Sequence, residues 1–153
     1  MTPDQIPFFL ARNPKSTYKI LVTGSRFWDR PDLIHRILDY FPPGTILVHG
    51  GAKGADTMAH AYGLGNDFVI RRYPALWDVH GKAAGPVRNS QMLEEEHLPE
   101  SPIDLVLAFS FPESRGTMDM VSKATSKKIP VVLLTLPKPS LDRYYHMMTN
   151  REL

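Results

Sequence analysis

The sequence of 153 residues contains no cysteine. That excludes a disulfide framework, a thiol nucleophile and cysteine-ligated metal, and it suits a reducing compartment. Long hydrophobic runs are missing too: none approaches the roughly 20 residues that span a bilayer. The first residues carry an acid at Asp4 and only a short apolar run, less than the core of a secretion signal needs. A soluble, cytoplasmic protein without membrane contact is expected. There is little excess of charge: 18 Lys and Arg stand against 16 Asp and Glu, which gives no electrostatic footprint for nucleic acid. Several catalytic signatures are also absent. The six histidines show no HExxH or other metal-ligand spacing, so no metal is expected. Neither the GxSxG nucleophile turn nor the GxxxxGK[ST] phosphate loop occurs, and no GxGxxG follows the first apolar run. No cofactor is expected.

What is present fits one globular domain, residues 1–153, with ordinary hydrophobic (42%) and charged (22%) content. The length allows burial of roughly two-thirds of the extended surface. Five short runs read as strands: 19–23, 45–48, 68–72, 104–109 and 130–134. The first shows little polar alternation, as a strand covered on both faces does. Between them lie four helical segments. Leu33, Ile34, Ile37, Leu38 and Phe41 form one apolar face, ended by Pro42-Pro43-Gly44. Residues 54–64 are rich in small side chains, residues 85–97 start with Pro86 in the first turn, and residues 118–128 end in two lysines. Residues 1–17 read as an arm, 74–84 as a loop and 137–153 as a tail, with a short helix over 140–148. The alternation of strand and helix predicts a Rossmann-like α/β fold, a three-layer α/β/α sandwich around a mostly parallel sheet of about five strands.

In such sheets ligands bind beyond the carboxyl ends of the strands. Four glycine-bearing turns fall there: Gly24-Ser25-Arg26, Gly50–Asp56, Gly85–Asn89 and Ser114–Asp119. Gly50, Gly51 and Gly54 let the backbone take positive φ and approach a phosphate, and Lys53 adds a charge. Arg26 can hold an anion bidentately. Arg88 sits with Asn89 in the first turn of a helix, where its charge opposes the dipole, and so invites an anionic ligand. Arg115, Gly116 and Thr117 offer amides and a hydroxyl at another helix start. Asp56 and Asp119 suit the same dipole ends; Asp56 either stabilises its helix or holds a ribose hydroxyl or a water. Trp28 and Trp77 lie in loops near this edge, where a ring can stack on a base or pack as core or lid. His49 ends a strand and reads as a buried, hydrogen-bonded histidine.

Taken together, VTGSR (Val22–Arg26), HGGAKGAD (His49–Asp56), GPVRNSQM (Gly85–Met92) and SRGTMDM (Ser114–Met120) resemble the SLOG superfamily of Rossmann-like domains, nearest to its small YspA-like, YpsA-related members. Distant relatives of that superfamily are the Lonely Guy phosphoribohydrolases and the DNA-processing protein DprA. The resemblance implies a nucleotide or nucleotide derivative in a cleft between the turns after the second and fourth strands. Gly24, Ser25, Arg26, Gly50, Gly51, Lys53, Gly54, Arg88, Asn89, Ser114, Arg115, Gly116 and Thr117 would bind it. It also implies a homodimer, to which the aromatic tail Tyr144–Met148 would contribute. The Lonely Guy enzymes carry PGGxGTxxE, whose Glu assists glycosidic cleavage. Here Gly116-Thr117 match the GT, Arg88 matches a helical Arg, and Met120 stands at the Glu position. Asp119 lies about 100° away around the helix and is expected to point away from the sugar. A sensor or binding domain is therefore expected first. The alternative is an N-glycosidase using Asp119 or Asp56, and a DprA-like single-stranded DNA binder is a weaker one.

Overall fold

The computed structural model describes residues 1–112 and 114–137. A 3₁₀ turn and α1 (Ile6–Arg12) precede β1 (Lys19–Gly24), α2 (Pro31–Leu38), β2 (Ile46–His49), α3 (Ala55–Gly65) and β3 (Val69–Arg72). A single turn α4 (Trp77–His80) then leads through a 3₁₀ turn into α5 (Ala84–Glu96). β4 (Leu105–Ser110), α6 (Arg115–Ser126) and β5 (Val131–Thr135) follow. All four strand pairings are parallel, in the order β3-β2-β1-β4-β5.

Strand alternation divides the core into two. Ile20, Val22, Leu105, Leu107 and Phe109 face one side with Ile34, Ile37 and Leu38 of α2 and Ala55 and Ala59 of α3. Leu21, Val48 and Val106 face the other with Met92 and Leu93 of α5 and Met120 and Ala124 of α6. The molecule is thus a three-layer α/β/α sandwich of Rossmann-like type, as the alternation of strands and helices predicts. β1 and β4 are buried along nearly their whole length because each has neighbours on both edges and helices on both faces.

Three readings of the sequence need correction. The arm is not free of structure: α1 places Ile6, with no exposed surface, in the larger core cluster. The Tyr18 hydroxyl donates to the Asn13 carbonyl at 3.0 Å, with the Leu10 carbonyl at 3.3 Å as the alternative acceptor, and ties this segment to β1. A single buried apolar residue, Ile6, gives no readable period in so short a helix. The stretch 74–84 contains helical turns that cap the entry to α5. Finally α6 starts at Arg115 rather than near Met118, so Gly116 and Thr117 belong to its first turn. The short helix expected over 140–148, and the tail that motivated a dimer, lie outside the described residues.

Candidate functional site

The sheet order reverses direction between β1 and β4, and there the two following helices leave on opposite faces. A crevice at this switch point is a consequence of topology. It is present as a cleft of about 660 Å³, a volume suited to a small organic ligand. Its walls come from the β1–α2 turn (Thr23–Phe27), the loop and first turn of α6 (Phe111, Pro112, Ser114–Thr117, Asp119), and α5 (Gly85, Pro86, Arg88, Asn89). Trp77 and Lys82 close one side, and from the turn after β2 only Ala52 and Asp56 take part. The cleft therefore centres on the turns after β1 and β4, not on those after the second and fourth strands. Strand order is a non-local property, and it is what shifts the position.

The turn after β2 is built differently from the expected phosphate cradle. Gly51 and Gly54 have φ of +70° and +77°, so glycine is required there. But the amides of Gly50 and Ala52 donate to Asp56 Oδ2 at 3.1 and 3.2 Å, and that of Gly51 donates to His49 Nδ1 at 2.9 Å. The turn wraps around a carboxylate of its own chain. A Cβ on Gly54 would lie 2.4 Å from the Ser25 carbonyl oxygen, and one on Gly51 would meet Arg72 outside the cleft. Gly50 likewise faces the Arg88 guanidinium, which donates to the Gly50 carbonyl. Gly50, Gly51, Lys53 and Gly54 are thus not part of the cleft wall. Gly24 is, yet a side chain there would strike Ala55 and the Phe109 carbonyl, so this glycine permits the β1 turn and α3 to touch.

At the start of α6 the arrangement is open. A Cβ on Gly116 would meet nothing within 4 Å. Ser114 caps without a side-chain bond, and Thr117 is 3% exposed with Oγ1 lacking any hydrogen-bond partner. A helix start concentrates unsatisfied N–H groups and positive potential. Exposed Arg26 and Arg115 flank it, with Arg26 lying 4.7 Å over the Phe27 ring. Arg88 is half-buried. Besides Gly50, it donates to Asn89 Oδ1 at 3.0 Å, so it braces the β2 turn against α5. Asn89, 3% exposed, donates to Asp119 Oδ2 at 3.0 Å and to the Gly116 carbonyl at 3.3 Å. It ties α5 to α6 across the cleft.

The two acids differ. Asp119 lines the cleft and is neutralised by Lys123 at 2.9 Å. The helical geometry separates it from Met120 as expected, but with the opposite consequence: Met120 is fully buried in the core, and Asp119 is the residue facing the cleft. Asp56 is 4% exposed, and its Oδ1 has no partner. Burial raises its pKa from 3.8 to about 6, against the opposing pull of the Ala52 and Gly50 amides and Arg88. His49 is buried, as read. Its Nε2 lies 2.8 Å from His60 Nδ1. Because Nδ1 accepts from Gly51, the neutral ring carries its proton on Nε2 and donates it to His60. Burial, with His60, Arg72 and Arg88 close by, lowers the pKa of His49 to about 4.

Of the two tryptophans, Trp28 is core. It is 2% exposed, packs on Phe109 and Phe111 at 5.5 and 5.4 Å, and donates to the Arg30 carbonyl. Trp77 is 60% exposed at the rim of the cleft. Phe27, Lys82 and Phe111 also line it and were not singled out from sequence. The signal available was an aromatic or basic residue directly beyond a strand end.

An open parallel α/β sheet with a cleft at its switch point defines a Rossmann-like domain. Among the described residues no helix is long and apolar enough to cross a membrane. The profile of the YspA, cpYpsA-related SLOG family matches residues 18–80. The Gene 61 protein of Mycobacterium phage D29 is 36% identical over 123 residues, spanning 74% of this chain and 94% of that protein. No solved structure matches. The chain belongs to the YspA, cpYpsA-related SLOG family.

Proposed function

We propose that this protein binds a nucleotide or nucleotide-derived ligand, as a sensor or binding domain. The observation that carries this reading is the start of α6: free space beside Gly116 at a helix N-terminus and a buried, unpartnered Thr117 hydroxyl, in one cleft with Arg26 and Arg115. A phosphate supplies acceptors to all of these at once. Phe27, Phe111 and Trp77 supply apolar faces against which a base can stack. The family's link to nucleotide chemistry supports the same ligand class. The Ser25 hydroxyl, fixed by accepting from the Phe27 amide at 3.1 Å, still has its proton to donate to a phosphate.

Native mass spectrometry of the purified protein, followed by calorimetry with nucleoside mono- and diphosphates, tests this. A retained nucleotide or saturable binding is expected. Absence of binding to every nucleotide at millimolar concentration refutes it. A second reading, an N-glycosidase acting on nucleoside monophosphates, draws on the fact that both Asp56 and Asp119 line the cleft. An oxocarbenium-like transition state would need one carboxylate near the anomeric carbon and one activated water. Asp119 Oδ2 is already held by Lys123 and Asn89, and intact nucleotides after long incubation are expected. Release of free base at roughly one turnover per second or faster, abolished by Asp119→Asn or Asp56→Asn, would establish the enzyme instead.

A further inference from the structure

The proposed ligand class leaves open which part of the ligand lies beside Asp56. Building on that reading, we infer that the ligand's sugar carries a 2′-hydroxyl that donates to Asp56 Oδ1, so the cleft selects ribonucleotides over 2′-deoxyribonucleotides.

Three observations lead there. First, Asp56 is almost wholly buried, and the two sides of its carboxylate are treated unequally. Oδ2 receives the Gly50 and Ala52 amides, whereas Oδ1 receives nothing. A buried carboxylate oxygen without a donor is costly to a fold, and this one belongs to a residue of the cleft wall. Second, the ionised group can only accept. Of the other polar groups of the wall near the α6 start, the Asp119 carboxylate is taken up by Lys123 and Asn89, while the helix amides, Arg26 and Arg115 donate. A bare phosphate satisfies those and repels Asp56. A ligand that satisfies both must join an anion to a hydrogen-bond donor, as a ribose phosphate does. Third, a cation at Asp56 would call for further acidic or imidazole ligands, and among the described residues no group of three such side chains gathers. The cleft's volume accommodates a sugar and base beside the phosphate.

Calorimetry with AMP, GMP, CMP and UMP against their 2′-deoxy counterparts tests this on the wild-type protein, with inorganic phosphate as reference. The ribo form of whichever base binds is expected to bind ten- to a hundredfold more tightly, the range for leaving a buried charged acceptor unpaired. Asp56→Asn is expected to abolish or invert the preference. Its amide oxygen can take over the two turn amides, and its NH₂ then faces the cleft as a donor. Equal affinity for ribo and deoxy forms overturns the assignment of the sugar and leaves nucleotide binding standing. Failure of all nucleotides to bind overturns both.

Discussion

Asp56→Asn should change the pH dependence of stability in a calculable way. The Asp56 carboxyl titrates at about 6 in the folded protein against 3.8 for the unperturbed group, mainly because it is buried. Between those values the folded state holds the proton more tightly than the unfolded chain does. The group's contribution is therefore whole below about pH 4 and is lost as pH rises through 6. At 1.36 kcal/mol per pKa unit the loss amounts to about 3 kcal/mol. His49 does the reverse. Its folded pKa is depressed to about 4 from 6.5, so its contribution is whole above pH 6.5 and is lost as pH falls through 4. The two slopes oppose each other over the same interval, and wild type masks both. Urea denaturation of wild type and Asp56→Asn, run in parallel from pH 4 to 7, separates them. The stability of the variant minus that of wild type should climb by about 2.5 kcal/mol over that interval, whatever its offset from altered hydrogen bonding. Parallel curves would refute the burial of an ionisable carboxylate at this position.

Gly54→Ala should destabilise by about 2–4 kcal/mol, because its φ is +77° and the new Cβ would press on the Ser25 carbonyl. Gly116→Ala, with free space around it, should leave the melting temperature nearly unchanged while weakening nucleotide binding measured by calorimetry. Arg88→Ala should lower nucleotide affinity by about 1.5–3 kcal/mol, the range for a charge-assisted bond; unchanged affinity confines Arg88 to bracing Gly50 and Asn89. Trp28→Ala should cost about 3–5 kcal/mol in equilibrium unfolding, since the ring fills the core between Phe109 and Phe111.

The order of strands and helices was legible because β1, β2, β4 and β5 are short apolar runs and each long helix has a Pro or Gly at or next to its start; β3, with two arginines, is largely exposed. Less legible was anything set by pairing between distant segments. That β1 lies beside β4 decides where the cleft opens, and no local pattern encodes it. The β2 turn shows the same limit at smaller scale. Its glycines do take positive φ, as their type suggests, but only the fold reveals that Asp56 reaches back to occupy the amides. Asp119 and Met120 were separated correctly around the helix, and which one faces the core depends on where α6 sits on the sheet. Trp28 and Trp77 look alike in sequence, each next to an Asp, yet one is enclosed and the other is not.

The pairing of β1 with β4 has a kinetic consequence. β1 finds β2 after one crossover, but its other edge waits for a strand some 85 residues further along, the separation spanned by the Lys19 amide and Asp104. Closing so long a loop is entropically late, and parallel pairings of this kind are slow. Because the cleft needs the ends of both β1 and β4, it exists only in a chain that has made this long-range pairing, and anything that binds in it would stabilise that pairing.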